Sequence, residues 1–133
     1  MFGRLLVENQ IPAIIAEGMM SVTDSKYLIW AMLIFFLLFV GMFMETLATI
    51  LILTPVLLPI TYNLGIDPLH FGIVMVCCCE IGFQTPPLGE NLFIASGISG
   101  SSIEEISVKA LPFAAVSVVA VFIIAYIPEI TAI

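Results

Sequence analysis

Two adjacent prolines, Pro86 and Pro87, sit in the stretch Gly82-Phe83-Gln84-Thr85-Pro86-Pro87-Leu88-Gly89, between flanks that are otherwise apolar. Residues 69–79 carry only His70 as an ordinary polar group, and residues 92–98 are again mostly apolar. A helix needs about 20 apolar residues to cross a hydrocarbon core roughly 30 Å thick, so neither flank spans alone. Joined, residues 69–98 are long enough, yet a helix cannot run through them. Pro87 has no amide to donate, and Pro86 is pushed out of the α region by the proline after it. Gly82 and Gly89 add freedom at both edges. The pattern predicts one membrane segment made of two half-helices with an unwound middle. A plain proline kink is the alternative.

Irregular backbone at membrane depth is tolerated only where protein or a water-filled cavity surrounds it. The first half-helix would aim its negative end and free carbonyls, at Ile81 and Gly82, into the break. The second, starting beyond Gly89, would aim its positive end and free amides there. One place would then offer carbonyl ligands for a small cation and donors for an anion, as ion-coupled transporters do.

The rest of the composition fits a chain built for lipid. Of its 133 residues 62% are hydrophobic and only 10% charged, against roughly 25% charge in soluble domains. The mean hydropathy is +1.24. The net charge of −7 rests on three basic and ten acidic side chains spread along the chain, with no basic patch for nucleic acid. Cys77, Cys78 and Cys79 are consecutive, so on a helix they point about 100° apart and neither share a metal nor pair readily. There is no Ser/His/Asp set, phosphate loop or metal-ligand spacing for enzyme chemistry. At the start, Met1-Phe2-Gly3-Arg4-Leu5-Leu6-Val7 followed by Glu8-Asn9-Gln10 lacks the apolar core and cleavage site of a signal peptide.

In chain order, residues 1–26 read as an amphipathic segment at the membrane surface, on the spacing of Ile11, Ile14, Ile15, Met19 and Met20. A loop fits them equally well. Residues 27–62 form one apolar run of 36 residues with a single charge, Glu45, near its middle. A straight helix of that length would reach about 54 Å, too long for a bilayer. Gly41 with Glu45 marks the break, leaving arms of roughly 24 Å each. A re-entrant hairpin with its tip inside the membrane and two thin full spans with Glu45 at the far surface both satisfy this geometry. Pro55 and Pro59 should bend the second arm, with Thr54 bonding a freed carbonyl. Gly65 should cap that arm, and Asp67-Pro68 should start the next helix. Ser102 with Glu105 reads as a capping box. A last span over residues 105–128 has its apolar part from Ala110 on, Pro112 in its first turn and Tyr126 at the interface, with Tyr27 and Trp30 in the opposite aromatic belt. Arg4, Lys26 and Lys109 are too few to orient the chain by charge.

Glu45, Glu80 and Glu90 fall at or near membrane depth, where carboxylates are costly and face a partner, cavity or ion. Glu45 is the stronger functional candidate. Glu80 and Glu90 are read as riding at half-helix ends, and His70 as interfacial.

Gly41-Met42-Phe43-Met44-Glu45-Thr46 running into Thr54-Pro55-Val56-Leu57-Leu58-Pro59-Ile60, and Gly65-Ile66-Asp67-Pro68-Leu69-His70-Phe71-Gly72, form a recognisable set of motifs. The strongest is Glu80-Ile81-Gly82 through Thr85-Pro86-Pro87-Leu88-Gly89-Glu90-Asn91-Leu92-Phe93. With them the sequence resembles the large permease subunit of TRAP transporters. The resemblance implies the C-terminal third of a longer subunit, without the first of two inverted repeats. It implies an all-α polytopic membrane fold with a re-entrant helical hairpin, a broken transmembrane helix and a final transmembrane helix, moving as an elevator in the bacterial inner membrane. The implied activity is sodium-coupled uptake of organic acids such as C4-dicarboxylates. A periplasmic substrate-binding protein and a small membrane permease subunit are the implied partners. The expected binding residues are Gly41, Glu45, Thr46, Ile81, Gly82, Thr85, Pro86, Pro87 and Gly89, with sodium near Gly82, Thr85 and Glu45 and no other cofactor. Cys78 stands where the family often has Asn. A truncated, non-transporting module that only packs against partner helices is the second reading, and a channel the third.

Overall fold

The computed structural model describes residues 14, 18, 21, 25–86 and 89–131. Among them are five α-helices, one terminal 3-10 turn and no strand: α1 (Lys26–Gly41), α2 (Thr46–Asn63), α3 (Pro68–Gly82), α4 (Glu90–Ser99), α5 (Ile103–Tyr126) and η1 (Pro128–Ile130). The segment expected over residues 1–26 lies almost wholly outside the described residues.

Local chemistry sets the helix ends. After α2, Gly65 takes a left-handed φ of 69°. Its N–H bonds the Tyr62 carbonyl at 2.9 Å, and the Ile66 N–H reaches back to Thr61 at 2.9 Å. This paired closure satisfies carbonyls the helix end would leave free and buries Ile66 behind it. Two residues on, Asp67 Oδ1 accepts from the amides of Leu69 (2.8 Å) and His70 (3.4 Å), and Pro68 fills a position needing no donor. At the head of α5, Ser102 Oγ accepts from the Glu105 amide at 3.3 Å. The Glu105 carboxylate turns to Lys109 at 2.8 Å instead of back to Ser102, so the box is half formed.

Two local expectations are corrected, those at Pro112 and at Thr54. Pro112 lies in the interior of α5, because the Ser102 cap starts the helix at Ile103. Helix α2 runs through both Pro55 and Pro59. Leu47, Leu51, Pro55 and Pro59 share its exposed side, so the missing bonds fall away from the core. The Thr54 hydroxyl bonds no freed carbonyl but points to Met75 Sδ of α3 at 3.7 Å.

Helix α3 is the centre of the packing. It contacts α1 most extensively, then α2 and α5, while α1 and α2 touch each other little. Buried positions form stripes at helical spacing: Ile29, Leu33, Leu37 and Val40 on α1, Thr49, Leu53, Leu57 and Ile60 on α2, and Phe71, Val74, Met75 and Cys78 on α3. The outward faces are as apolar as the inward ones, with Phe35, Phe39, Leu51, Phe113 and Val116 all exposed. Helices apolar all round suit a lipid surrounding, and α2 and α5 are each long and apolar enough to cross a membrane.

At one end of the bundle the start of α1, the start of α3 and the finish of α5 meet. Trp30 is only 3% exposed, and its indole N–H donates to the Ala125 carbonyl at 2.9 Å. The same carbonyl lies 3.1 Å from His70 Nε2, and His70 Nδ1 lies 2.6 Å from the Thr131 hydroxyl. Tyr126 donates to the Tyr27 carbonyl at 2.7 Å and stacks on the Tyr27 ring. Tyr27, Trp30 and Tyr126 therefore belong to one end, not to opposite aromatic belts, and Trp30 is core. The sequence reading missed this because α5 runs back alongside α1.

Two substitutions in the full-length protein weigh these contacts. Phe71→Ala, at a site 1% exposed, is expected to cost about 3 kcal/mol. Trp30→Phe keeps one aromatic ring, loses the indole N–H and part of the buried volume, and leaves the Ala125 carbonyl its histidine neighbour, so about 2 kcal/mol is expected. Thermal unfolding of purified protein in detergent measures both; a larger loss at Trp30 than at Phe71 would contradict the packing described.

Candidate functional site

The opposite end of the bundle is built around a backbone crossing. Helix α1 ends at Gly41 and α3 at Gly82, and these two glycines lie against each other. A methyl group on Gly82 would overlap the Gly41 carbonyl carbon, with the Gly41 oxygen at 2.6 Å and the Met42 nitrogen at 2.7 Å. A methyl group on Gly41 would lie 2.8 Å from Cys79 Cα and 3.2 Å from the Cys78 and Cys79 carbonyl oxygens. Only a residue without Cβ fits on either side. Cys78 and Cys79 are fully buried and form the surface against which Gly41 lies.

Beside this crossing, a turn over residues 42–45 carries the chain into α2, held by bonds from the Phe43 and Met44 amides to the Val40 carbonyl. Glu45 is the N-cap of α2 by position, but its side chain makes no capping bond and is exposed. Its carbonyl accepts from the Thr49 amide at 2.9 Å and the Thr49 hydroxyl at 3.0 Å. Thr46, the first residue of α2, donates to Glu80 Oε1 of α3 at 2.9 Å. That bond ties the α1–α2 turn to the last turn of α3.

After Gly82 the chain leaves the helix through turns. The Gln84 amide bonds the Ile81 carbonyl at 3.1 Å, and the Thr85 amide bonds the Gly82 carbonyl at 3.0 Å. The Thr85 hydroxyl also donates to the Ile81 carbonyl, at 2.9 Å. Both carbonyls expected to be free thus accept local bonds: Ile81 takes two, and Gly82 takes one and keeps a second lone pair. Pro86 is exposed, and Pro87 lies outside the described residues. Gly89 is buried; a Cβ there would come 3.0 Å from the Phe83 carbonyl oxygen and 2.8 Å from Leu92 Cδ1. Helix α4 opens at Glu90 directly after it.

The result is a pair of adjoining clefts of about 320 and 340 Å³, which share Glu45, Phe83 and Glu90. The first is also lined by Thr46, Glu80 and Asn91, the second by Gly41 and Met42. The amino ends of α2 and α4 both open here, with a partial positive charge at each. Three carboxylates, of Glu45, Glu80 and Glu90, border the first cleft, and none of its lining residues is basic. Among the described residues no group of three or more His, Cys, Asp or Glu side chains closes on a metal position. The structure thus joins Gly41 to Gly82 and Thr46 to Glu80, with Glu45 on the same cleft. Thr85 turns its hydroxyl back to Ile81. Glu80, read from sequence as riding at a helix end, is the contact that holds the turn; its place two residues before Gly82 was the available signal.

The described residues are helical, with the carboxyl ends of α1 and α3 in contact beside a polar cleft. A family model described as "Tripartite ATP-independent periplasmic transporter, DctM component" matches residues 1–130, and the chain belongs to that family. It is 46% identical over 129 residues to the isethionate TRAP transporter permease protein DctMQ of Oleidesulfovibrio alaskensis, covering 97% of this chain and 20% of that protein. It is 40% identical over 131 residues to the C4-dicarboxylate TRAP transporter large permease protein DctM of Pseudomonas aeruginosa, covering 98% and 31%. The sialic acid TRAP transporter large permease protein SiaM of Vibrio cholerae is 30% identical over 130 residues, covering 98% and 30%. The chain therefore spans about a third or less of the length of these relatives.

The crossing yields a sharp contrast among glycines. Gly82→Ala should lower the stability of the full-length subunit by about 2–3 kcal/mol, since backbone on both sides must move. Gly72→Ala, on α3 with nothing within 4 Å of the added carbon, should be neutral or stabilising by up to about 1 kcal/mol. Melting curves in one detergent compare them, and a tolerated Gly82→Ala would mean the helices do not touch there.

Proposed function

We propose that this chain supplies one hairpin and one broken helix to the large permease of a sodium-coupled TRAP transporter. It would import organic acids across the bacterial inner membrane as a multi-pass protein. A periplasmic binding protein would deliver the substrate, and a small membrane subunit would support the permease. The observation that carries this reading is the junction of the α1–α2 turn with the end of α3, through Gly41–Gly82 and Thr46–Glu80.

Lengths support the membrane placement. Helix α5, of 24 residues, is about 36 Å long and ends beside the start of α1. It packs against both α3 and α4. Helices α3 and α4, of 15 and 10 residues, together match that length and act as two halves of one span. Helix α1, of 16 residues, is only about 24 Å long. The turn after it would then stop at the depth of the break, inside a hydrocarbon core of about 30 Å. The shortness of α1 supports a re-entrant hairpin, while α2, of 18 residues, is by itself long enough to cross.

Charge supports the coupling. A cleft with three carboxylates and no basic lining residue attracts cations and repels an organic anion. Bound sodium would lower that negative charge, and the amino ends of α2 and α4 would then help receive the substrate carboxylate. Sodium is a hard cation suited to carbonyl and hydroxyl oxygens, which the Gly82 carbonyl and the Thr85 hydroxyl would provide, with Glu45 balancing its charge. An organic acid as cargo is supported by relatives named for isethionate, C4-dicarboxylate and sialic acid.

In proteoliposomes holding the full permease and its binding protein, Thr85→Val deletes one oxygen and keeps the shape. It is expected to raise the sodium concentration for half-maximal uptake by about tenfold, or 1.4 kcal/mol. Glu45→Gln should act in the same direction. Sodium dependence unchanged in both variants at equal insertion would place the coupling site elsewhere.

A further inference from the structure

The end of the bundle far from these clefts holds a cavity of about 290 Å³ that the transport reading does not use. It lies where α1 begins, α3 begins and α5 ends, and its polar lining includes Lys26, Tyr27, Asp67 and Tyr126. The Lys26 side chain forms no salt bridge or hydrogen bond with the described residues, and its Nζ leans over the Gly65 turn, 3.7 Å from where a Cβ would stand. Asp67 follows two residues later on that turn and is exposed. One positive and one negative side chain therefore face a single small cavity.

The helix ends repeat that polarity. The start of α1, at Lys26, contributes partial positive charge; the finish of α5, at Tyr126, contributes partial negative charge. These two ends are fastened together by the Tyr126–Tyr27 hydrogen bond and ring stack. The amino end of α3 adds little for an anion, because its Leu69 and His70 amides are already taken by Asp67 Oδ1. The exposed faces of Tyr27 and Tyr126 suit an ammonium group, and tyrosine with lysine is the dress of a membrane interface.

We propose that this cavity binds the phosphoethanolamine headgroup of a membrane phospholipid. Lys26 and the amino end of α1 take the phosphate. Asp67, the tyrosine faces and the carboxyl end of α5 take the primary ammonium. The volume lies at the lower end of small-ligand cavities, about 300 Å³, and suits a headgroup with its acyl chains left in the bilayer. A purely anionic lipid gains nothing from Asp67, and a quaternary ammonium has no N–H to donate to it. The zwitterion with a primary amine therefore fits best.

The site can be read without transport. The full permease complex is loaded in nanodiscs of equal parts phosphatidylethanolamine, phosphatidylcholine and phosphatidylglycerol, and retained lipid is counted by native mass spectrometry. Wild type should retain phosphatidylethanolamine above its share. Lys26→Gln and Asp67→Asn should each reduce that excess about fivefold, the effect of roughly 1 kcal/mol from an exposed charge contact. Asparagine caps a helix as well as aspartate does, so Asp67→Asn keeps α3 intact, and Lys26→Arg should retain the lipid. Equal retention of the three lipids, or unchanged retention in both variants, overturns the proposal. So does selective phosphatidylglycerol binding indifferent to Asp67→Asn. Protection of Lys26 from amine modification by inorganic phosphate, with no dependence on lipid, would assign the cavity to a free anion instead.

Discussion

The contact between Gly41 and Gly82 is the constraint on which the arrangement depends. In lipid the hydrophobic effect does not draw apolar helices together, so association rests on close packing and on polar bonds between helices. Here both operate within a few residues. The glycine pair lets two backbones touch where any side chain would hold them apart. The Thr46–Glu80 hydrogen bond then fixes the adjoining turn on the same pair of helices. With α1 and α3 locked at their carboxyl ends, the amino ends of α2 and α4 necessarily begin beside them. The polar cleft follows from that crossing; no separate folding of a binding loop is required.

Much of this was legible in the sequence where chemistry is local. The Asp67-Pro68 helix start, the Gly65 closure and the helical stop at Gly82 each follow from one or two residues whose backbone options are few. What was not legible is which face of each helix turns inward. Phe35 is exposed and Leu33 buried, though nothing in their polarity separates them. A chain apolar on every side carries no moment to read, and inward faces are chosen by shape. The end-to-end pairing of Trp30 with Ala125 was hidden for the same reason: it spans 95 residues and depends on a carbonyl present at every position.

The site was partly legible. Gly41, Thr46 and Gly82 were marked by their place at predicted breaks, and the structure brings them to one junction. The glycines act as places of contact as well as freedom. Thr46 acts through Glu80, a residue set aside because a carboxylate at a helix end has an ordinary explanation. The turns after Gly82 supply local donors to the Ile81 and Gly82 carbonyls, and a chain-level count of helix ends cannot foresee how a turn will spend its amides.

The two prolines of α2 carry a mechanical meaning. Neither can donate, so the bonds from position 55 to Leu51 and from position 59 to Pro55 do not exist, and both absences fall on the outer side of the helix. Lengthening that outer side breaks no hydrogen bond and curves the helix around the core, whereas closing it would press each proline ring onto the carbonyl four residues before it. The arm that carries the Glu45–Thr46 turn is therefore soft in one direction and stiff in the other. Its compliance is written into the covalent chain, with no glycine needed to provide it.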